Sequence, residues 1–343
     1  MKLLVTGGAG FIGSHACELL LSQGHFVVAL DNFDGFYSKA RKRRNIEEAK
    51  KHENYRLVEG DFGDRLEVSK LLQEHNFDAV MHLAAQTGVR PSIDDSLKYE
   101  RNNVRNLIAL LEALREHGPR KILAASSSSV YGNKTPSPFR EDAPCMATCS
   151  PYAASKRAAE IFLATYAELY EFKITVVRPF TVYGPRQRPD MAISTFTERI
   201  YQNEPITLFG DGTSSRDYTF VTDIVAGLSA AVQKLVVQAS SLQTPDAGKM
   251  PAPQSYTVYN LGNETPVSLS EVLAKIEHII GRKAEVQRMP MPRGDVDRTC
   301  ADISKARKEL GYAPQIKLDE GLEKAVTWVR RELRHETTIT TKR

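Results

Sequence analysis

Short apolar runs alternate with amphipathic stretches along the first 180 residues of the chain. The apolar runs predict strands at 2–6, 26–31, 56–60, 79–83, 121–126 and 173–178. The stretches with helical periodicity lie between them, near 11–23, 38–51, 64–75, 99–117 and 151–170. Alternation at this spacing predicts an α/β fold with a doubly wound parallel sheet, whose right-handed crossovers place helices on both faces.

The pattern loosens after Pro179, where Pro, Gly and charged residues become frequent. Strands are expected near 206–208, 218–221 and 257–260, and helices near 191–203, 222–236, 268–281 and 318–334. We therefore predict a first domain over 1–180 and a smaller C-terminal α/β region over 181–334 that binds the substrate. Segments near 206–236 and 257–262 are expected to return to the first domain.

Two segments lack any periodicity. Residues 239–255 are polar and Pro-rich, which predicts an exposed loop. Residues 335–343 are rich in Thr and charge, which predicts a disordered tail.

Composition changes this picture little. The 343 residues are 41% hydrophobic and 26% charged, as in ordinary globular proteins, and the net charge of +4 is too weak to indicate nucleic-acid binding. No apolar run approaches the roughly 18 residues of a membrane helix, and the first one ends at Gly7 without a signal-peptide pattern. We expect a cytoplasmic protein that binds neither nucleic acid nor membrane.

The four cysteines, Cys17, Cys145, Cys149 and Cys300, are too few for a disulfide scaffold. Only Cys145 and Cys149 are close in sequence, and no histidine lies between residues 118 and 277 to complete a metal site. We expect reduced thiols and no metal.

A glycine-rich loop follows the first predicted strand. Gly7, Gly10 and Gly13 form a GxxGxxG variant of the dinucleotide-binding pattern, and the helix opening at Phe11 directs free N–H groups at phosphates. Asp31 ends the next strand, where a carboxylate binds both hydroxyls of an adenosine ribose and repels a 2′-phosphate. The pattern therefore predicts an NAD site rather than an NADP site.

The third strand is followed by another acidic residue. Asp61 and Phe62 lie where the adenine rests in such a fold, and Asp61 is expected to accept a hydrogen bond from the adenine amino group.

The candidate catalytic pair lies on one helix. Ser150 and Pro151 form an N-cap and first-turn pair, so Tyr152 and Lys156 share a helical face. An ammonium beside a phenol lowers the pKa of the phenol, so we predict that Tyr152 is a general base.

A serine-rich loop follows the fifth strand at the carboxyl end, where ligands bind in open α/β sheets. The sequence there is SSSSVYG, from Ser126 to Gly132. One of these hydroxyls is expected to hydrogen-bond a substrate oxygen, although a serine-rich loop without chemistry is the alternative.

Together these motifs resemble the extended short-chain dehydrogenases/reductases. The ordered set, which runs to about residue 330, is TGGAGFIGSH, Asp31, GDF at 60–62, HLAAQ at 82–86, SSSSVYG, SPYAASK and RPFTVYGPRQRPDM. The resemblance implies a Rossmann fold and a catalytic triad of Ser127, Tyr152 and Lys156. It also implies an NAD site made of Gly7, Gly10, Phe11, Ile12, Gly13, Asp31, Asn32, Asp61, Phe62, Leu83, Ala84, Ala85, Asn102, Tyr152 and Lys156.

Within this family the run GPRQRPDM at 184–191 is most similar to the UDP-glucuronate 4-epimerases. Sugar 4,6-dehydratases carry an Asp-Glu pair where this chain has Ser128 and Ser129, and UDP-glucuronate decarboxylases carry a Glu. The resemblance thus implies an isomerase that interconverts UDP-glucuronate and UDP-galacturonate. A UDP-glucose or UDP-N-acetylhexosamine 4-epimerase, a UDP-glucuronate decarboxylase and a non-catalytic NAD(H) sensor are the alternatives.

The same resemblance suggests a substrate site. Ser128, Ser129 and Thr181 are expected to hold the uronate carboxylate, and Arg188 to anchor nearby charge. Arg216 and Arg293 match the positions that contact the diphosphate in the family, and a guanidinium is well suited to bind phosphate. The resemblance assigns Asp295 to the uridine ribose and Arg90 to the sugar.

The helices near 99–117 and 151–170 carry more apolar residues than one face needs, and in the family they pair across a two-fold axis. We therefore expect a homodimer. The residues considered are Leu107, Leu110, Leu111, Leu114, Ile161 and Phe162.

Overall fold

The computed structural model of the chain describes residues 1–240, 255–292 and 294–340. Its centre is a seven-stranded parallel sheet in the order β10-β6-β5-β4-β1-β2-β3. The strands are β1 (Lys2–Thr6), β2 (Phe26–Asp31), β3 (Tyr55–Glu59), β4 (Ala79–His82), β5 (Lys121–Ala125), β6 (Lys173–Pro179) and β10 (Tyr256–Leu261). Strand order reverses between β1 and β4, which is where open α/β sheets bind their ligands.

Both faces of this sheet are buried. Successive residues of a strand point to opposite faces, and Leu3 and Leu4 of β1 are each fully buried, in separate apolar clusters. The predicted doubly wound parallel sheet is confirmed.

Helices of the first 180 residues cover the sheet. They are α1 (Phe11–Ser22), α2 (Lys39–Asn45), α3 (Arg65–Glu74), α4 (Val89–Asp94), α5 (Ser96–Glu100), α6 (Asn106–His117) and α7 (Pro151–Leu169). The continuous helix expected near 99–117 is instead α5 and α6, joined by a π-helical turn at Arg101–Arg105. Such turns are frequent at functional sites because they change which side chains face a ligand.

The C-terminal part adds two smaller sheets. Its elements are β7 (Thr181–Tyr183), α8 (Ala192–Gln202), β8 (Ile206–Phe209), β9 (Ser215–Phe220), α9 (Val221–Ser240), β11 (Pro266–Ser268), α10 (Leu269–Ile280), β12 (Val286–Met289), α11 (Ser304–Leu310) and α12 (Leu318–Thr340). One small sheet has the order β11-β9-β7 and the other pairs β12 with β8.

The chain returns to the large sheet through fewer segments than the sequence indicated. β10 pairs with β6 and α9 packs against α1 and β6, whereas β8 and β9 belong to the smaller sheets. The sequence did not indicate β7, β11, β12, α4 or α11, because elements this short have too few residues to show a period.

Some sequence predictions lie outside the described residues, namely Arg293, most of the 239–255 loop and residues 341–343. Helix α12 continues to Thr340, past residue 334 where the sequence placed its end. In the described ranges no helix is long and apolar enough to cross a membrane. Nor do three His, Cys, Asp or Glu side chains of those ranges cluster so that they could hold a metal ion.

Candidate active site

A large cavity of about 880 Å³ runs from the glycine-rich loop to the small sheets. Nearly all the predicted site residues line it: Gly7, Gly10, Phe11, Ile12, Gly13, Asp31, Asn32, Phe62, Leu83, Ala84, Ala85, Arg90, Asn102, Ser127, Ser128, Ser129, Tyr152, Thr181, Arg188, Arg216 and Asp295. Asp61 and Lys156 are not among its lining residues. The cavity therefore unites the two groups of residues that the sequence assigned to cofactor and substrate.

The glycine loop requires its glycines for two geometric reasons. Gly7 has φ of +72°, and a Cβ at Gly13 would lie 2.1 Å from the Gly7 carbonyl oxygen. Gly10 caps α1 without a side-chain hydrogen bond, so the first N–H groups of the helix are available to an anion. The loop can hold a pyrophosphate at the switch point of the sheet.

Asp31 is buried beside this loop and already organises it. Its carboxylate accepts hydrogen bonds from the backbone N–H groups of Ala9 (3.1 Å) and Phe33 (2.8 Å). The Lys42 ammonium lies 3.4 Å from the same carboxylate, and Lys42 and Tyr37 line this end of the cavity. Neither Lys42 nor Tyr37 was predicted from the sequence as a site residue, although the run after Asp31 is rich in aromatic and basic residues.

The structure separates the adjacent asparagines Asn102 and Asn103. Asn102 lines the cavity, whereas the buried amide of Asn103 donates to the Gln86 carbonyl (2.9 Å) and to the Ser155 hydroxyl (2.9 Å). Asn103 thus ties the loop after β4 to α7.

Asp61 lies behind the cavity wall. Its carboxylate accepts hydrogen bonds from the Asn32 side-chain amide (3.0 Å) and from the Gly63 backbone (2.8 Å). Asn32 lines the cavity, so Asp61 contacts a residue of the cavity wall without lining the cavity itself.

Ser127 and Tyr152 meet in the middle of the cavity. Helix α7 begins as predicted at Pro151, where the Ser150 hydroxyl accepts from the Ala153 N–H at 3.2 Å. Its first turn presents Tyr152, whose phenol lies close enough to the Ser127 side chain for that hydroxyl to oppose the rise of the phenol pKa. The Ser127 hydroxyl also accepts from the Ser129 hydroxyl at 2.9 Å. A phenol and a serine hydroxyl side by side in a cavity can together hydrogen-bond an alcohol and exchange a proton with it.

The structure contradicts the prediction that the Lys156 ammonium lowers the pKa of the Tyr152 phenol. Burial raises the pKa of the Tyr152 phenol, opposed by the hydrogen bond to Ser127 and the charge of Arg188. The Lys156 ammonium donates to the Ala125 carbonyl at 2.8 Å instead of contributing to Tyr152. Helical spacing places both residues on one face, but the direction of a long lysine side chain depends on the partners around it.

Arginine side chains line the cavity beyond the glycine loop, and Arg188 lies nearest the middle, beside Phe36 and Tyr152. Arg188 pairs with Asp190 through two hydrogen bonds of 3.0 and 3.1 Å and also contacts the Thr87 hydroxyl. Arg216 donates to the Asp295 carboxylate at 2.6 Å.

Arg90 stacks on the Phe209 ring at 3.7 Å, and burial lowers the pKa of its guanidinium. Arg90, Arg188 and Arg216 come from separate segments of the chain. Arg90 and Arg216 make the far end of the cavity suitable for an anionic ligand.

A model of the GDP-mannose 4,6-dehydratase family matches residues 4–325. The chain is 38% identical over 326 residues to a UDP-glucuronate 4-epimerase from Thermodesulfobacterium geofontis, with 95% of each chain covered. A crystal structure of UDP-glucuronic acid 4-epimerase from Bacillus cereus, in complex with UDP-glucuronic acid and NAD, has a TM-score of 0.85. Its identity is 35%, and the match covers 97% of this chain and 100% of that one.

A second solved structure, UDP-glucose 4-epimerase with UDP-glucose from Thermotoga maritima, has a TM-score of 0.81 at 30% identity. That match also covers 97% of this chain and 100% of the other.

Proposed function

The chain belongs to the GDP-mannose 4,6-dehydratase family of extended short-chain dehydrogenases/reductases, and from this premise we propose that it is an NAD-dependent UDP-glucuronate 4-epimerase. It interconverts UDP-glucuronate and UDP-galacturonate through a 4-keto intermediate. The observation that carries the proposal is one continuous cavity that joins the glycine loop, the Ser127–Tyr152 pair and the arginine-lined end. Residues 1–180 mainly bind the dinucleotide and 181–334 the UDP-sugar.

The residues present fit NAD. The left-handed backbone at Gly7 and the close contact at Gly13 bring the loop within reach of a pyrophosphate, and α1 begins there with free N–H groups. Asp31 lines the neighbouring end, where it can accept hydrogen bonds from the ribose hydroxyls. When bound, NAD supplies reversible storage of a hydride, so the overall reaction needs no external oxidant.

Tyr152 is the residue that moves a proton in this mechanism. It reacts as its phenolate, the minor form at neutral pH because burial raises its pKa. The phenolate oxygen accepts the proton of the sugar C4 hydroxyl, and the phenol so formed later returns that proton to the C4 oxygen. The Ser127 hydroxyl is assigned to the same sugar oxygen, because Ser127 and Tyr152 line the same cavity and lie close together. Lys156, one helical turn along α7, carries a buried positive charge at the carboxyl end of β5 and is assigned to the cofactor ribose.

The 4-keto uronate is a β-keto acid, which loses CO2 when its carboxylate bond aligns with the carbonyl π-system. Hydroxyls that hold the carboxylate away from this alignment suppress the loss. Ser128, Ser129 and Thr181 line the cavity and fit this role, with Arg188 as the nearby cation. The Arg188–Asp190 pair keeps that cation in one orientation.

The UDP portion occupies the far end. Arg216 is assigned to the diphosphate and Asp295 to the uridine ribose, since the two side chains are paired and both line the cavity. Arg90 is assigned to the sugar. Arg293 remains a diphosphate candidate that lies outside the described residues.

Product analysis with a panel of UDP-sugars tests this function. Purified protein that is boiled should release a nicotinamide cofactor, and fresh protein should convert UDP-glucuronate into UDP-galacturonate without CO2. Conversion of UDP-glucose or UDP-N-acetylglucosamine alone, release of CO2 or absence of any turnover would each contradict the proposal. The last outcome would favour a non-catalytic NAD(H) sensor.

The proposed homodimer uses α7 and the short helices beside it. Ile161 and Phe162 on α7 are 55% and 38% exposed, and Leu97 on α5 is 77% exposed. Leu107, Leu110, Leu111 and Leu114 of α6 are instead fully buried inside the chain. The apolar surface left for a partner therefore lies on α7 and α5, and a second copy would cover it.

Light scattering at micromolar protein tests the dimer, and a mass near the single-chain 38.3 kDa would contradict it. The proposed location is the cytoplasm. The four cysteines are unpaired, as in reducing compartments, and cell fractionation is the measurement.

A further inference from the structure

A second, small chamber lies between α7 and the strands β4 and β5. It has a volume of about 10 Å³, close to the minimum for one water molecule. Its polar lining consists of His82, Asn103, Ser126, Lys156 and Glu160. Two of these, Lys156 and Glu160, are ionisable residues on the same face of α7, one turn apart.

Glu160 is 1% exposed and is held by two arginines. The Arg178 guanidinium donates to both carboxylate oxygens at 2.8 Å, and Arg157 donates to one of them at 2.8 Å. Burial alone would raise the pKa of Glu160, but the hydrogen bonds and charge of Arg178 lower it below its usual value. Glu160 is therefore a carboxylate at neutral pH.

The other groups around Lys156 give its charge little support. From β5 the Ala125 carbonyl accepts one hydrogen bond, and Asn103 lies on the chamber wall. From β4 the His82 side chain faces the chamber as a neutral imidazole, because burial lowers its pKa to about 3. Tyr152 on α7 is a neutral phenol whose pKa is raised by burial. Glu160 is thus the one anionic side chain that lines the chamber.

We infer that Glu160 is a positioning residue for catalysis, whose buried carboxylate, one helical turn from Lys156 on the same chamber wall, keeps Lys156 in its charged form. Burial lowers the pKa of the Lys156 ammonium to about 8, and the charge of Glu160 opposes that fall. Without the carboxylate, the pKa of Lys156 falls further. Arg178 and Arg157 hold Glu160 in place through their hydrogen bonds. The inference rests on the proposed role of Lys156 in the epimerase.

The first measurement is the pH dependence of epimerisation by Glu160→Gln. Wild-type turnover should fall above about pH 8 as Lys156 is neutralised. In Glu160→Gln this alkaline limb should move down by at least one pH unit, so that turnover at pH 8 falls by roughly tenfold while turnover at pH 6 changes little. An unmoved limb, with turnover reduced equally at all pH values, would show that Glu160 is only structural.

The matched control is Glu309→Gln on α11. Glu309 also accepts from a lysine, Lys234 at 2.8 Å, and from a tyrosine hydroxyl, Tyr259 at 2.7 Å, but it lies away from the cavity. Its loss should leave the alkaline limb in place. If Glu160→Gln strands Arg178 and fails to fold, Glu160→Gln combined with Arg178→Gln removes both charges and should show the same displaced limb.

A second measurement does not depend on activity. Between its folded pKa of about 8 and its ordinary value of 10.5, Lys156 binds more protons in the unfolded chain, so the free energy of unfolding rises with pH in that window. In Glu160→Gln the folded pKa of Lys156 is lower, so this window begins at a lower pH. The difference in Tm between wild type and Glu160→Gln should therefore narrow from pH 6 to pH 8, while the Glu309→Gln difference stays constant.

The two measurements separate the inference from the proposed function. A narrowing Tm difference in a protein that does not epimerise UDP-glucuronate would retain the Lys156–Glu160 link and overturn the function. A Tm difference between wild type and Glu160→Gln that stays constant with pH, in a protein that is an active epimerase, would overturn the proposed effect of Glu160 on Lys156 and leave the proposed function standing.

Discussion

The two ends of the cavity are built in different ways. The glycine-loop end is built mainly from residues 7–42, where Gly7 and Gly13 act through backbone geometry and Asp31 accepts backbone hydrogen bonds. The arginine end is assembled from distant segments: Arg188 follows β7, while Arg216 on β9 pairs with Asp295. A site formed by the backbone of one local motif can be recognised from the sequence. A site formed by side chains from distant segments depends on how the fold brings those segments together.

Tyr152→Phe tests the point at which the two ends meet, and its effect should be the largest. The ring and its contact with Tyr99 are kept, but the ionisable hydroxyl is removed. We expect turnover to fall by roughly 10² or more, the scale of general acid–base catalysis, with unchanged Tm. Near-wild-type turnover in a product assay would remove Tyr152 from the mechanism.

Asp31→Ala tests the backbone-built end. The ribose hydrogen bonds and the charge that repels a 2′-phosphate are both lost, and Ala9 loses its acceptor. We expect roughly tenfold or greater loss of retained NAD and weaker discrimination against NADP, measured on the cofactor released by boiling. Asp78→Ala, which removes a carboxylate from the Lys2 N–H, is the control and should retain NAD. Unchanged cofactor selection in Asp31→Ala would show that Asp31 does not contact the ribose.

Arg216→Gln tests the assembled end. A charge-assisted hydrogen bond contributes about 1.5–3 kcal/mol, so KM for UDP-glucuronate should rise by roughly tenfold or more while kcat changes little. Arg288→Gln is the control, because Arg288 donates to the Asp211 carbonyl (3.0 Å) and does not line the cavity. A fall in kcat without a change in KM would place Arg216 outside the diphosphate site.

Thr181→Ala should have the smallest effect, since one hydroxyl among several is removed. We expect a small decarboxylated fraction among the products or a few-fold rise in KM for UDP-glucuronate, detected by chromatography of the nucleotide sugars. Thr197→Ala, which deletes a buried hydroxyl bonded to the Ile193 carbonyl, should show neither change. If Thr181→Ala also shows neither change, the carboxylate assignment is wrong.

The sequence by itself determined the large sheet. Each of its first six strands and the helices α1, α3 and α7 were predicted within a residue or two, because a strand buried on both faces is a continuous apolar run and the helices between the strands are amphipathic. It also placed the candidate cofactor residues at the carboxyl edge, since parallel strands end together there. The fold family and the candidate triad followed from the order of local motifs.

Only the tertiary structure decided which side chains meet. Lys42 reaches Asp31, Lys156 turns to Ala125 rather than raising the acidity of Tyr152, and Glu160 lies against Arg178 of β6. The apolar residues of α6 are buried within the chain, so the exposed apolar surface lies on α7 and α5 instead. Such contacts depend on burial and on partners far away in sequence, which change the direction and the protonation of a long side chain without leaving a local pattern.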